Sequence, residues 1–241
     1  MRVVPGIEIT AVDQGRDVHL LGYFFDPHDD GLAAFLVNQR ALRVSRVREI
    51  AARLDALDMS IDVESVLLAA ATRPGSSIGR PQIARELVHA GHVPSVQDAF
   101  ELWLGGGRPA FVPRTGPSPA DVVQTIHDAG GVASFAHPGV TRRDDPVAPL
   151  VDRGLDAIEA YHSDHTVEDT ATYQRMAARL GILVSGGSDF HGEDPAAIHA
   201  SGARPGRSHR ATLGSVTLPQ RHFDALHARS SAYASGGTAH R

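Results

Sequence analysis

Residues 166–189 read TVEDTATYQRMAARLGILVSGGSD. Thr166 followed three positions later by Asp169 is a helix-opening pair, since each side chain can take a backbone N–H that the first turn leaves without a partner. Gly181 closes the helix, where a residue free to turn left-handed is favoured. The apolar run Ile182-Leu183-Val184 follows at once and ends in small residues, then Asp189 and, two positions on, His191. Side chains two apart in extended chain share a face, and the glycines before them allow close backbone approach or a bend. Ser-Asp is also common in ordinary strand-to-loop turns, so the neighbouring segments decide.

Upstream, the same unit recurs. SPADVVQTIHDAGG (118–131) is a capped helix closed by glycines, and VASFAHPG (132–139) is a strand. VAPLVDRG (147–154) makes a short helix and LDAIEAYH (155–162) the next strand. Repeated αβ units imply an α/β fold with a parallel sheet and crossover helices, either a barrel or a doubly wound sheet. Downstream of Gly214, VTLPQRHFDALHAR reads as a last strand–helix fragment, and residues 229–241 as a disordered tail.

The first part of the chain differs. RVVPGIEIT and DVHLLGYFF read as two strands joined by a hairpin turn at VDQGR. Leu32, Phe35, Leu36, Leu42, Val47, Ile50, Leu54 and Leu57 then recur at helical spacing. Three shorter helices are predicted in IDVESVLLAAA, GRPQIARELVHAG and PSVQDAFELWLGGG, the last with Ser95 and Asp98 as cap residues. Residues 30–112 therefore form a helical insertion between residues 1–29 and 113–228.

At 241 residues the chain can bury a substantial core. The net charge of −5 gives no global basic field, which argues against stable duplex nucleic-acid binding. No apolar run approaches the ~20 residues needed to span a bilayer, and no signal-peptide pattern opens the sequence, so no membrane association and a cytoplasmic location are expected. Zero cysteines exclude disulfides and thiolate metal sites, whereas 14 histidines suit a histidine–carboxylate site.

The candidate chemistry collects at strand ends: His137, His162 and the Asp189/His191 pair, which is where α/β sheets place their sites. Glu8 and His19 on the hairpin add two donors. Imidazole with carboxylate favours Zn, Fe or Mn over Ca or Mg. Each residue has a plainer reading: His19 as a core histidine satisfied by a carbonyl, His137 as a turn residue, His162 and His165 as caps of the next helix. For His165 the cap is preferred. Glu8 is harder to dismiss, since it lies between Ile7 and Ile9 on the face of Gly6 and Thr10 and would need a partner if buried.

PGIEIT, HLLGYFFD, GRPQIA, FAHPG, IEAYHSDH and GGSDFHG occur in the order and approximate spacing of the PHP-domain phosphoesterases. The chain resembles the branch with nucleoside 3′,5′-bisphosphate phosphatases and RNA 5′-end exonucleases, over about residues 3 to 227. The resemblance implies a distorted (β/α)7 barrel with a helical insertion and divalent metals (Mn, Fe or Zn). It implies Glu8 as bridging carboxylate, His19 and His137 as ligands, and Asp189 and His191 as the closing, catalytic pair. A small phosphorylated nucleotide or a short RNA 5′ end would be the substrate, met by Arg80, Gln82, Arg114, Arg142 and His162. Arg143 reads as solvated surface.

Two departures stand out. The family's opening His-x-His and Asp-His pairs have no counterpart in this sequence, so the resemblance implies a barrel lacking its first βα units. That predicts incomplete metal occupancy and impaired activity, or a remnant that only binds metal, phosphate or a partner. Gln82 also stands where the family often has histidine after Gly-Arg-Pro; it can hydrogen-bond phosphate but carries no charge. A PHP domain of the histidinol-phosphatase or polymerase-associated kind is a further reading, against which GRPQIA stands.

Overall fold

β1 (Gly6–Asp13) and β2 (Arg16–Tyr23) pair as an antiparallel hairpin in which Thr10 faces His19 and Asp13 faces Arg16. The computed structural model describes residues 3–72, 78–190 and 212–236, with side chains to 233. Gln14 and Gly15, both at positive φ (49° and 76°), make the two-residue turn, the twist-matched form that hairpins favour. Alternation decides the faces. Ile9, Ala11, Val18 and Leu20 are buried on one side, which leaves Glu8, Thr10 and His19 on the other.

The chain divides into two compact units, residues 1–34 with 117–241 and residues 35–116. In the first, α5 (Pro119–Asp128) starts on a capping box between Ser118 and Asp121 and buries Val122, Val123 and Ile126. β3 (Val132–Phe135) pairs antiparallel with β2, setting Leu20 opposite Phe135. After the single turn α6 (Pro138–Thr141) and the short α7 (Val147–Val151), β4 (Ala157–His162) lies parallel to β3. α8 (Val167–Leu180), capped by Thr166 and Asp169 and ended by left-handed Gly181, leads to β5 (Leu183–Gly187), parallel to β4.

The sheet order is β1-β2-β3-β4-β5. This mixed, five-stranded α/β sheet is open among the described residues; the closed (β/α)7 barrel implied by the resemblance is not what it forms. Two further expectations need correction. No strand is found at residues 212–219; Ser215 N–H closes a turn on the Thr212 carbonyl instead. The last helix, α9 (Gln220–Gly236), runs well past residue 229, where a disordered tail was expected. Its order comes from contacts remote in sequence. Leu226 is buried against Val132 and Ala157, and Tyr233 Oη donates to Asp156 at 2.7 Å. Asp156, 1% exposed, also accepts from the Ala133 N–H at 3.0 Å and lies 2.7 Å from His127 Nε2.

The second unit is helical. It holds most of α1 (Asp30–Asp55), then α2 (Val63–Ala71), α3 (Arg80–His89) and α4 (Val96–Ala99), which runs into a π-helical turn at Phe100–Leu104. Its core gathers Val47, Ile50 and Leu54 of α1 with Ile83, Leu87 and Leu104. Ser95 caps α4 by accepting from the Asp98 N–H at 3.1 Å. No helix among the described residues is long and apolar enough to cross a membrane.

Candidate metal centre

Hairpin pairing brings the first two donors together. His19 is opposite Thr10 and therefore diagonal to Glu8 on the same face of the sheet, a separation that long side chains bridge. His19 Nδ1 lies 2.6 Å from Glu8 Oε1. The third donor arrives through the β2–β3 pairing. The Ala136 N–H donates to the His19 carbonyl at 3.0 Å, so the next residue, His137, emerges beside the hairpin. Its Nε2 is 3.3 Å from Glu8 Oε1 and 3.3 Å from His19 Nδ1. Residues 118 apart in sequence thus share one point.

Glu8 keeps about a third of its side chain exposed (32%) whereas His137 is buried. Burial pushes the Glu8 carboxyl up, but the hydrogen bonds and positive charge of His137 and His19 outweigh it and hold Glu8 well below the usual carboxylate range. Burial lowers His137, yet its bond to Glu8 and the charges of Glu159, Glu8 and Asp189 raise it overall. The backbone of His137 is itself constrained. Its φ of 26° and ψ of 55° lie in left-handed territory, which a residue with a Cβ enters only at a cost of about 1–2 kcal/mol. Arg142 and Asp189 also take positive φ, at 53° and 52°.

Glu159 went unnoticed in the sequence and is central to this geometry. It sits on β4 at 3% exposure, and its Oε2 accepts the His137 N–H at 2.8 Å. Burial pushes its carboxyl up to about 8, with the negative charges of Asp189 and Glu8 adding to the effect and the His137 contacts opposing it. A Cβ on Gly187 would lie 3.1 Å from Glu159 Oε1, and one on Gly186 would lie 2.6 Å from the Tyr161 Cβ. The glycines of SGGSD are therefore needed for close approach. The signal for Glu159 was present: like Glu8, it is a lone acid in an apolar strand, flanked by Ile158 and Ala160.

His162 ends β4 with its ring 5.6 Å from that of His137. The Asp164 N–H donates to its Nδ1 at 3.1 Å, which leaves the ring proton on Nε2 in the neutral form. Burial, aided by His137 and His165, lowers its pKa to about 3, so the ring is neutral. Its Nε2 is buried without a protein partner, as is Nδ1 of His137.

The remaining candidates fall elsewhere. His165 is not a helix cap, since Thr166 holds that position. Instead, the Gly139 N–H donates to its Nε2 at 3.1 Å and its Nδ1 lies 2.9 Å from the Ala160 carbonyl, tying α6 to β4. Arg142 reaches Asp169 at 3.3 Å on the surface. Arg143, expected to be solvated, is buried, because it joins the loop after β3 to the end of β1: Nη2 is 2.8 Å from Asp13 and 3.1 Å from Asp145. In the helical unit, the Gln82 side-chain oxygen accepts the Gly79 N–H at 3.0 Å. Arg80 Nη1 donates to the Leu104 carbonyl at 3.2 Å, and its guanidinium stacks over Phe100 and Phe111. Arg114 belongs to this unit as well. His191 lies outside the described residues.

Glu8, His19 and His137 form a group able to hold an ion. Bonds of about 2.0–2.2 Å in tetrahedral array separate neighbouring donor atoms by about 3.3 Å. Two of the three separations match, and the third would open by about 0.7 Å as a hydrogen bond gives way to coordination. One carboxylate with two imidazoles is a donor set for first-row divalent metals.

No family model matches the chain. Curated proteins do. A 3′,5′-nucleoside bisphosphate phosphatase of Chromobacterium violaceum is 32% identical over 194 residues, which is 77% of this chain and 66% of that protein. A 5′-3′ exoribonuclease of Haemophilus influenzae is 30% identical over 196 residues, 79% of this chain and 70% of the relative. The chain thus spans about two thirds of the length of the curated relatives it matches (66% for the first). Among solved structures, a protein of Bifidobacterium adolescentis assigned as a metal-dependent phosphoesterase superposes with a TM-score of 0.71 at 30% identity. The match covers 94% of this chain and 76% of that one.

Proposed function

Because this chain belongs to the PHP family of metal-dependent phosphoesterases, we propose that it hydrolyses phosphate esters of nucleoside bisphosphates or RNA 5′ ends. The observation that carries the reading is the meeting of Glu8 Oε1, His19 Nδ1 and His137 Nε2 within 3.3 Å of one another. In this account the open sheet is part of the family's distorted (β/α)7 barrel, and the protein works in the cytoplasm.

Glu8, His19 and His137 would hold a divalent metal, Mn, Fe or Zn, with Asp189 and His191 closing the set. The bound metal supplies Lewis acidity toward a phosphoryl oxygen and lowers the pKa of a bound water. The chain's own residues do the rest. Glu8 stays ionised because two histidines face it. Glu159 fixes the His137 backbone through the N–H it accepts. Neutral His162 presents an Nε2–H that a substrate oxygen would satisfy. Arg142, at the surface after α6, is the nearest guanidinium in sequence to that group and would steer the anionic substrate. Arg80, Gln82 and Arg114 would serve the substrate from the helical unit.

Reading the chain as a non-catalytic remnant finds no comparable support, since the matched relatives are hydrolases by name. The test is phosphate release from adenosine 3′,5′-bisphosphate, and shortening of a 5′-phosphorylated RNA oligomer, with added Mn²⁺. Activity that depends on metal and is lost in Glu8→Gln and His137→Ala supports the proposal. Turnover that persists in both variants, or after exhaustive chelation, would place the chemistry elsewhere.

A further inference from the structure

The helical unit contains a recess whose walls are unusual in charge. Arg43 and Arg46, three residues apart and so on one face of α1, line it together with Arg114, Gln39 and Thr115. No carboxylate is among its lining residues. Elsewhere on the same helix the pattern is the opposite: Arg48 is paired with Glu64 at 3.1 Å and Arg53 with Glu49 at 2.8 Å. Like charges at helical spacing repel, so a face that concentrates three guanidinium groups without a lining acid carries an unfavourable interaction that an anion would relieve.

The recess is also held in shape. Arg46 Nε donates to the Val112 carbonyl at 2.9 Å, and Arg53 Nη1 donates to the Phe111 carbonyl at 2.5 Å. Both bonds fasten the segment that carries Arg114 and Thr115 to α1. Guanidinium forks, an amide and a hydroxyl supply only donors suited to tetrahedral oxyanions; bidentate N–H pairs match phosphate in particular.

We propose that this recess is a phosphate-binding site belonging to the helical unit itself. The shared chemistry is a phosphoryl group, carried by free phosphate or by a nucleotide. The site stands apart from the metal-centre reading: it requires no metal and no turnover.

The test is isothermal titration of the full-length chain after chelation, with inorganic phosphate and with adenosine 5′-monophosphate as separate probes. Binding of at least one probe is expected, weakening with added salt and falling roughly tenfold or more in Arg43→Gln and in Arg114→Gln. Arg48→Gln should bind as the parent does. Tighter binding of the nucleotide than of phosphate would assign the site to a nucleotide phosphate; equal binding would assign it to the free ion. Circular dichroism and the melting temperature check each variant, and Arg114→Gln serves if Arg43→Gln is misfolded. The proposal is overturned if neither probe binds the folded chain, or if binding survives in both variants. Failure here would leave the metal-dependent hydrolysis assay untouched, and the reverse also holds.

Discussion

Replacing Glu159 by alanine should loosen the candidate metal centre without removing any of its donor atoms. The Glu159 side chain is 3% exposed and accepts the N–H of His137, whose backbone is held at a φ of 26°. Alanine leaves that buried N–H without a partner, a loss of about 1–3 kcal/mol. It also frees His137 to relax from a conformation that itself costs about 1–2 kcal/mol, which returns part of the loss but moves the ring. A net loss of about 2 kcal/mol corresponds to a fall of roughly 4–8 °C in melting temperature for a chain of this size. Metal affinity should drop by about 10–100-fold, as is typical when a group that orients a ligand is removed. Glu159→Gln is the informative partner. Burial pushes the Glu159 carboxyl up to about 8, so near neutral pH it is largely protonated and an amide of the same shape can still accept the His137 N–H. That variant should melt within about 2 °C of the parent and keep most of its metal affinity. Calorimetry and Mn²⁺ titration against a competing chelator read both quantities. Indistinguishable alanine and glutamine variants would refute the claim that Glu159 positions His137.

Asp169→Asn should destabilise the chain by about 1 kcal/mol at neutral pH through loss of the α8 cap. The Thr166 backbone N–H, then its hydroxyl and the charge of Arg142, hold the Asp169 carboxyl below its ordinary range against a smaller upward push from burial. A depressed folded-state pKa gives stability that is present above the ordinary carboxylate range and lost as pH falls through the folded value. The gap between parent and Asn variant should therefore close in acid denaturation curves, and a gap independent of pH would contradict the assignment. Tyr233→Phe removes the bond to buried Asp156 and should cost roughly 0.5–1.5 kcal/mol by urea denaturation; no change would mean that the end of α9 is not docked. Gly186→Ala would put a Cβ 2.6 Å from the Tyr161 Cβ and 2.9 Å from its carbonyl oxygen. Backbone there cannot yield cheaply, so a loss of about 1–3 kcal/mol is expected, and wild-type stability would show that the strand pairing is misread.

The parts of the fold legible in the sequence were those fixed by local chemistry. Alternation put Ile9 and Ala11 inside and Glu8 opposite them, and the Thr166–Asp169 pair marked the start of α8. The parallel β3-β4-β5 segment followed from the repeated αβ units. What escaped depended on contacts distant in sequence. The antiparallel β2–β3 pairing, which delivers His137 to the hairpin, has no local signature. Nor has the docking of α9 on Asp156, which converts an apparently polar tail into helix. Arg143 looked like any loop arginine, since its partner Asp13 is 130 residues away. Glu159 was hidden because a single acid in the run LDAIEAYH does not interrupt the strand pattern. Its role emerges only when His137 is found above it.

The central claim, a divalent-metal position built from the hairpin and the end of β3, is tested most directly by anomalous diffraction from crystals grown with Mn²⁺. The account predicts a manganese peak bounded by Glu8 Oε1, His19 Nδ1 and His137 Nε2, at roughly 2.0–2.3 Å from each, and its loss in crystals of Glu8→Gln. Manganese bound at full occupancy elsewhere, with the Glu8–His19–His137 hydrogen bonds intact and no peak among them, would contradict it.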